Sequence, residues 1–244
     1  MTVDVIGEDK RLLWAKSVIE KRGAPFRRVV LLPIPTRIKC CGEALEALGE
    51  GDAVVGYGLC PELFEELKSR RVYIYDAAMD EEFLLINAEL TAVGVLGEIT
   101  TAKDKAPSDV RYGIIGYGRI GKSLLKHLTF LGSLVTVFTT RESVLISLGE
   151  WGVHAEMLDT PEALFGVEVL INTAPIEIAD IYGAEELLRS GVKIFDLASG
   201  ECFGGCESVV RLKGVPGVRY PLSAGAAYAE CFLARAKQDG MTLY

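Results

Sequence analysis

The sequence has no apolar run of the length that a membrane crossing needs. Its longest runs, such as VVLLPI and VEVLINTA, are strand-sized, far below the roughly 20 residues of a spanning helix. The first residues, MTVDVIGEDKRLLW, show no basic segment followed by a long apolar one, so they indicate a first strand and not a signal peptide. We therefore expect a cytoplasmic protein with no membrane partner.

Positive charge is also scarce. Lysine and arginine number 26 against 34 aspartates and glutamates, for a formal net charge of −8. Such a chain repels a phosphate backbone, and no basic cluster with interleaved aromatic residues occurs, which argues against a nucleic-acid partner.

The six cysteines follow no metal-binding pattern. Cys40 and Cys41 are adjacent, and Cys202-x3-Cys206 lacks a second ligand pair nearby, so we predict reduced structural thiols and no metal site.

The 244 residues suffice for two domains. Short β-rich runs alternate with helical stretches over the first 80 residues, and the alternation restarts at Val110, which is typical of parallel sheets covered by helices. We predict an α/β protein with two Rossmann- or flavodoxin-like domains, the C-terminal one a doubly wound parallel sheet that binds a dinucleotide. The predicted segments are a small substrate-side domain (1–84), a connecting helix and linker (85–107), the Rossmann domain (108–222) and a C-terminal helix returning toward the first domain (223–244).

The strongest motif is a glycine-rich turn between a strand and a helix. It consists of Gly116, Tyr117, Gly118, Arg119, Ile120 and Gly121. The first glycine permits a tight turn, the second lets the backbone approach a diphosphate, and the third lets helix and strand pack closely. The amino end of the helix then binds the anion. We predict that these six residues bind the cofactor.

The residues after the next strand distinguish the two nicotinamide dinucleotides. NAD-binding proteins place a carboxylate there for the ribose 2′-hydroxyl, whereas arginine suits the 2′-phosphate of NADP. This strand ends in Thr139, Thr140 and Arg141, which favours NADP and leaves NAD possible. A solvated first-turn position is the other interpretation of Arg141.

Another strand, which ends at Asn172, Thr173, Ala174 and Pro175, is also predicted to border the cofactor. Loops at the carboxyl ends of strands line the crevice of doubly wound sheets. We assign Asn172, Thr173 and Pro175 to cofactor binding, although an ordinary turn would use the same residue types.

Only two histidines are present, His127 and His154. We interpret His127 as a packing or surface residue and place His154 at the start of a peripheral strand. The polar candidates for the cleft are therefore Asn87, Glu89 and Thr91 on the connecting helix, Ser199 after FDLAS, and Ser223 before AGAAYA. Thr91, Ser199 and Ser223 are the catalytic candidates, and the substrate-binding candidates are Asn87, Ser223, Ala224 and Gly225. We place Ser223 as an N-cap and carboxylate donor, or as a capping serine alone.

The order of these segments resembles the family of the dipicolinate synthase A subunit, distantly related to D-isomer-specific 2-hydroxyacid dehydrogenases. The resemblance runs through VVLLPIP, NAELTAVG, IIGYGRIGKSLLKHLTFLGSLVTV, INTAP, FDLAS and VPGVRYPLSAG, and covers nearly the whole chain. It implies an NADP-dependent oxidoreductase of spore-forming bacteria that makes pyridine-2,6-dicarboxylate from a hydroxylated tetrahydropyridine. It also implies a small carboxylate substrate and a flavoprotein-like second subunit, and we expect a homo-oligomer.

The substrate-side motifs differ from those of the family. Leu90 and Val93 stand where the family has proline and glutamate, and Gly200 and Glu201 follow DLAS where the family continues with a basic residue and Pro-Gly-Gly. The family's closing motif Pro-Lys-Thr-Ala-Gly is replaced by residues 221–225, with Leu222 in place of the lysine and Ser223 after it. Two cationic partners for a dicarboxylate are thereby lost, and charge-assisted bonds are the strong ones. Two alternatives stay open: a dehydrogenase of another small organic acid, and a dinucleotide-binding subunit without activity. Histidine after residue 154 is absent, which disfavours the late histidine–carboxylate pair of 2-hydroxyacid dehydrogenases.

Overall fold

The structure is a computed structural model that describes residues 1–37, 43–159, 161–175, 184–200, 202–203 and 206–240. The chain divides into two compact units. The first comprises Met1–Asn87 together with Pro216–Tyr244, and the second comprises Ala88–Val215. Cys40, Cys41 and Glu201 lie outside the described residues.

The first unit is a parallel sheet with helices between its strands. Its elements are β1 (Thr2–Val5), α1 (Lys10–Arg22), β2 (Arg28–Leu31), α2 (Glu43–Glu46), β3 (Asp52–Gly56), α3 (Pro61–Ser69) and β4 (Tyr73–Asp76). In the described residues the strands lie in the order β1-β2-β3-β4, each parallel to its neighbour. The strands are apolar because helices and loops cover both faces of such a sheet: Val29, Val30, Val54 and Val55 are fully buried.

The helix α4 (Glu81–Thr100) contributes to both units. Phe83 packs in a core of the first unit, and Ala92, Val95 and Ile99 pack in a core of the second. Among the described residues it is the one helix long and apolar enough to cross a membrane, by length and composition alone. The core helix of a soluble protein passes the same test, so this finding is weak evidence for a span.

Over its described residues, the second unit contains a parallel sheet of six strands. Its elements are β5 (Arg111–Ile115), α5 (Arg119–Phe130), β6 (Leu134–Thr139), α6 (Glu142–Glu150), β7 (Ala155–Met157), β8 (Val169–Asn172), α7 (Ala184–Arg189), β9 (Lys193–Asp196) and β10 (Val210–Arg211). The strands lie in the order β10-β9-β8-β5-β6-β7. Counted from β5 this is the order 3-2-1-4-5-6 of a Rossmann domain, read from the other edge. The order reverses between β5 and β8, which places a ligand crevice at the carboxyl ends of those strands.

The chain ends in two further helices, α8 (Val215–Arg219) and α9 (Pro221–Gln238). Nearly all of this segment belongs to the first unit, where Tyr228, Ala229 and Phe232 of α9 are fully buried. A Cβ on Gly225 would lie 2.2 Å from the carbonyl oxygen of Arg11. Helix α9 therefore packs on α1 at a distance that only glycine permits.

The β-rich letters of VRYPLSA (218–224) predict a last strand of the sheet, and the structure shows that this prediction is wrong. Residues 215–219 are helical, α9 begins at Pro221, and the last strand of the sheet is the short β10 at residues 210–211. Pro216 and Pro221 each stand in the first turn of a helix, where the missing N–H is not needed and the fixed φ suits the helix. These prolines outweigh the β-rich Val-Arg-Tyr letters between them.

Candidate dinucleotide-binding site

Gly116 and Gly121 shape the turn between β5 and α5. Gly116 has φ +93°, a conformation that side chains disfavour, and a Cβ there would stand 3.0 Å from both the Cβ of Ala174 and the Oγ1 of Thr173. A Cβ on Gly121 would stand 2.3 Å from the carbonyl oxygen of Gly116. Both glycines are thus required by the protein itself.

Gly118 is different. Its φ of −83° suits any residue, it is exposed, and no atom lies within 4 Å of the position of a Cβ. It is the cap residue of α5, whose first N–H groups have no acceptor within the helix. The turn thus offers unencumbered backbone and the positive end of a helix dipole, which suits a diphosphate. Because this backbone is open, the residues of the turn fit a bound dinucleotide.

A pocket of about 210 Å³ adjoins this turn. Residues from the carboxyl ends of three neighbouring strands line it: Ile115, Gly116, Tyr117 and Gly118 after β5, Phe138, Thr139, Thr140 and Arg141 after β6, Thr173, Ala174 and Pro175 after β8, and Leu158. The pocket lies entirely within the second unit and at the reversal of strand order. The structure therefore brings together most of the residues that the sequence assigned to the cofactor.

The three remaining residues of the glycine motif occupy different positions. Tyr117 is half-buried, packs against a core of the second unit, and has the ammonium of Lys122 5.2 Å from its ring centroid. Arg119 is exposed in the first turn of α5. Ile120 packs against the core and does not line the pocket. The side chain of Ile120 therefore supports the helix that carries the free N–H groups.

The hydroxyl of Thr139 is already engaged. Thr139 is buried, and its Oγ1 accepts a hydrogen bond from the backbone N–H of Arg141 at 3.1 Å. Thr140 and Arg141 are exposed at the pocket. The side chain of Arg141 makes no hydrogen bond or ion pair with the part of the chain that the structure describes. Thr139 thus orients the loop, while Thr140 and Arg141 are accessible to a ligand.

Asn172 lies beneath the pocket and does not line it. It is fully buried, its Oδ1 accepts a hydrogen bond from the N–H of Ala174 at 3.1 Å, and its Nδ2 donates to Asp196 at 2.9 Å. Thr173 does line the pocket, and its Oγ1 donates to the carbonyl of Ile115 at 2.9 Å. Asn172 therefore positions the loop 173–175 through its side chain.

Asp196 at the end of β9 continues this network, and sequence reasoning did not single it out. Its carboxylate is 1% exposed, accepts hydrogen bonds from Asn172 and from the N–H of Ala198, and lies 3.2 Å from the ammonium of Lys213. Lys213 also donates to the carbonyl of Ala198. A charged pair at the end of a strand could have been suspected from FDLAS, but the partner at residue 213 carries no sequence signal.

A second unforeseen cluster joins α4 to α5. Glu89 lies 2.7 Å from Nε2 of His127 and accepts a hydrogen bond from the hydroxyl of Ser123. Because a carboxylate only accepts, Nε2 carries the proton. The hydrogen bond from Ser123 contributes most to lowering the pKa of Glu89, with a further contribution from His127. His127 is thus a half-buried residue with a defined partner.

The substrate-side candidates fall into both units. Asn87, Ser223, Ala224 and Gly225 belong to the first, and Thr91 and Ser199 to the second. Ser199 and Ser223 are exposed, whereas Thr91 is 7% exposed within α4. Ala224 and Gly225 are buried in α9.

The N-cap assignment of Ser223 is wrong. Tyr220 is the N-cap of α9 and Pro221 its first residue, which makes Ser223 a residue of the first turn. Its side chain is therefore exposed on the helix and does not serve as the cap.

Cysteine and metal chemistry gave no further site. Cys60, Cys202, Cys206 and Cys231 form no disulfide with another described residue. Within the described ranges, no group of three or more His, Cys, Asp or Glu is placed to hold a metal ion.

The strand order and the glycine turn define the class: a two-domain α/β protein with the fold of Rossmann-type dehydrogenases. The structure is similar to the A subunit of dipicolinate synthase from Bacillus halodurans, with 19% identity over 96% of this chain and 97% of that chain and a TM-score of 0.76. It is equally similar to the corresponding subunit of dipicolinate synthase from Bacillus subtilis, with 17% identity over 98% and 96% and a TM-score of 0.76.

The D-isomer-specific 2-hydroxyacid dehydrogenase from Lactobacillus delbrueckii ssp. bulgaricus, in its NAD-complexed form, is a more distant match. It shares 12% identity over 98% of each chain, with a TM-score of 0.55. At these identities the similarities establish the fold. No protein-family model matches the chain, and no curated protein matches it in sequence.

Proposed function

We propose that the chain is an NADP-dependent oxidoreductase that oxidises a tetrahydropyridine dicarboxylate to pyridine-2,6-dicarboxylate. The observation that carries the proposal is the exposed, unencumbered Gly118 at a pocket of Rossmann geometry, in a chain that matches the A subunit of dipicolinate synthase over nearly its whole length. The hydroxylated ring loses water, then a hydride from a ring carbon and a proton to solvent. When bound, the nicotinamide supplies the hydride acceptor.

The pocket favours NADP through the loop after β6. The backbone at Gly118 and the first turn of α5 would hold the diphosphate, and Thr173 and Pro175 line the neighbouring edge. At the ribose end, Thr140 and Arg141 are exposed and no carboxylate lines the described pocket. A guanidinium suits a 2′-phosphate better than a 2′-hydroxyl.

The reaction needs little acid–base catalysis from the protein, because the formation of an aromatic product ring favours it. Binding and orientation then supply most of the rate enhancement. We assign the hydroxyls of Ser199 and Ser223 to orienting substrate carboxylates, since both are exposed. We assign Thr91, which is buried within α4, to the same role.

Coenzyme titrations test the cofactor part of this proposal. We expect the wild type to bind NADPH at least tenfold more tightly than NADH, and Arg141→Ala to remove most of that preference by weakening NADPH alone. Lys193→Ala is the matched control, because Lys193 is an exposed cation at the amino end of β9. Equal affinity for the two coenzymes, unaltered in Arg141→Ala, would contradict the assignment of NADP.

Turnover assays test the substrate part. The purified chain is mixed with NADP and the hydroxylated tetrahydropyridine dicarboxylate, and the ultraviolet absorbance of pyridine dicarboxylate and of NADPH is followed. Equimolar appearance of both supports the proposal, and their absence at every concentration overturns it.

The substrate-side motif changes favour a second candidate, a dehydrogenase of another small organic acid. The exposed Leu222 stands where the family resemblance implies a cationic residue. A panel of organic acids screened by NADPH absorbance separates the two candidates. NADPH binding without turnover of any acid would indicate a non-catalytic subunit.

We propose a cytoplasmic homo-oligomer acting with a flavoprotein-like partner. Light scattering tests the homo-oligomer, and co-purification tests the partner.

A further inference from the structure

The guanidinium of Arg11 is held in place by the first unit at the start of α1. Its Nε lies 3.0 Å from both carboxylate oxygens of Asp9, and its Nη2 lies 2.6 Å from Oδ2 of Asp9 and 2.7 Å from the carbonyl oxygen of Ile34. The side chain is 10% exposed. One edge of the planar guanidinium is therefore fixed by acceptors from two loops.

The third guanidinium nitrogen of Arg11, Nη1, is not used in these hydrogen bonds. Nη1 has no hydrogen-bond partner among the residues that the structure describes, although guanidinium nitrogens are strong, always charged donors. Helix α8 packs against the same group, because a Cβ on Gly217 would lie 2.8 Å from Nε of Arg11. The guanidinium thus has no freedom to swing away, and Nη1 is a fixed donor.

Tyr228 of α9 supplies a second unused donor nearby. Its side chain is fully buried, and its hydroxyl has no hydrogen-bond partner among the described residues. Gly225, one turn earlier on the same face of α9, contacts the carbonyl of Arg11, which places Tyr228 beside the start of α1. A buried hydroxyl without a partner costs free energy and is rare in folded proteins.

Charges around Tyr228 agree with this placement. Burial raises the pKa of its hydroxyl well above the usual value, and the charges of Asp76, Arg11 and Asp9 act on it as well. The hydroxyl consequently stays protonated and available as a donor at neutral pH.

The acceptors in this region are already satisfied. Asp76 at the end of β4 accepts backbone hydrogen bonds from Gly58 at 2.7 Å, Leu59 at 2.9 Å and Ala78 at 2.9 Å. Asp9 is occupied by Arg11 and by the first turn of α1. Nη1 of Arg11 only donates, and the hydroxyl of Tyr228 can donate or accept, so an anionic oxygen is a ligand that both groups can bind.

Asp9 and Arg11 follow β1, Asp76 ends β4, and the carbonyl of Ile34 follows β2. The charged groups that act on Tyr228 therefore lie at the carboxyl edge of the first sheet. Ligands of open parallel sheets bind outside this edge. We propose that Nη1 of Arg11 and the hydroxyl of Tyr228 form a carboxylate-binding subsite of the first unit, for a small organic acid. The inference rests on the proposed function only for the class of that acid.

Calorimetry on the full chain without coenzyme tests the subsite. The probe is pyridine-2,6-dicarboxylate, and pyridine-2,6-dicarboxamide serves as the uncharged ligand of the same shape. We expect the wild type to bind the acid and not the amide, and Tyr228→Phe to weaken acid binding at least tenfold, since a hydrogen bond to a charged group is lost. Tyr112→Phe is the matched control, because Tyr112 also has a buried hydroxyl without a described partner but lies in the second unit.

Tyr228→Phe is the decisive variant because we expect it to fold as the wild type does. Tyr228→Phe removes a hydroxyl that bonds nothing in the described protein, so its thermal unfolding should match that of the wild type or improve on it. Arg11→Lys is a second variant, expected to weaken binding through loss of the planar fork. Equal acid affinity in wild type and Tyr228→Phe, or no acid binding by the wild type, overturns the subsite.

Failure of the subsite and failure of the proposed function give different results. Coenzyme binding measured on the same preparation reports on the second unit alone. Acid binding that depends on Tyr228, in a chain that shows no turnover, supports the subsite and contradicts the proposed reaction. NADP-linked turnover that is unchanged in Tyr228→Phe supports the proposed reaction and contradicts the subsite.

Discussion

The carbonyl oxygen of Gly116 lies where a side chain on Gly121 would begin, 2.3 Å from the position of its Cβ. Strand β5 and helix α5 therefore meet at a distance set by backbone atoms alone. A Cβ on Gly118, two residues after Gly116, would have no atom within 4 Å. Gly121 is thus required for the packing of the helix on the strand, whereas Gly118 leaves its backbone open.

Alanine at these two positions should separate stability from coenzyme binding. We expect Gly121→Ala to lower the free energy of unfolding by roughly 2 kcal/mol or more, as overpacking against backbone does. Gly118→Ala should leave it within about 0.5 kcal/mol, because its φ is allowed, while coenzyme affinity falls at least tenfold. Denaturant unfolding and coenzyme titration measure both. Unchanged coenzyme binding in Gly118→Ala would remove Gly118 from the site.

The pair of Lys213 and Asp196 should be important for stability. Asp196 is 1% exposed, so Lys213→Met leaves a buried carboxylate without its cation. Breaking a fully buried pair costs about 3–5 kcal/mol, and we expect about 2 kcal/mol because the side chain of Lys213 is 43% exposed. Lys193→Met, on the exposed start of β9, is the control and should lie within about 0.5 kcal/mol of wild type. Equal unfolding midpoints for the two variants would rule out this role.

Glu89 should make stability depend on pH in the acid range. The hydrogen bonds from Ser123 and His127 lower its pKa in the folded state below the unfolded value of about 4.3. Its contribution is therefore fully present above that unfolded value and is lost as the pH falls through the lower folded pKa. Because the side chain is 43% exposed, the contribution is about 0.5 kcal/mol.

The comparison of Glu89→Gln with wild type by denaturant unfolding between pH 3 and 7 measures this effect. The difference should be present at pH 7 and shrink on acidification. Glu150→Gln, which removes an exposed carboxylate from the end of α6, is the control. A difference that grows as the pH falls would contradict the assigned direction.

Ser223 and Gly225 should behave in opposite ways when replaced by alanine. Ser223 is exposed in the first turn of α9, so Ser223→Ala should alter the free energy of unfolding by less than about 0.5 kcal/mol and lower turnover if its hydroxyl orients the substrate. Gly225→Ala would push a Cβ to 2.2 Å from the carbonyl oxygen of Arg11, with a loss of roughly 2 kcal/mol or more. Thermal unfolding and the turnover assay distinguish the two.

The α/β class, the Rossmann half and the loops that line its pocket could be predicted because their signals are local. The glycine motif needs only six consecutive residues, and the loops at Thr139–Arg141 and Thr173–Pro175 follow recognisable strands, as the pocket shows. The strand proposed at 218–224 failed because two prolines start helices there. Ser223 was misplaced for the same reason, since the helix begins two residues earlier.

The unforeseen contacts all join residues distant in the chain. Glu89 and His127 are 38 residues apart, and Asp196 and Lys213 are 17 apart. Arg11 stands near the start of the chain and Tyr228 near its end. Nothing local marks such pairs, because their meeting depends on how whole elements pack.

The closing of the first unit by α9 has a consequence for biosynthesis. The second unit is one continuous stretch, Ala88–Val215, whereas the first is made from both ends of the chain. Domains generally fold as their residues leave the ribosome. When a nascent chain has left the ribosome as far as Val215, every residue of the second unit is available to fold. The first unit still exposes the face of α1 against which Gly225 and Tyr228 will pack. The half that is translated first is thus the half that is completed last.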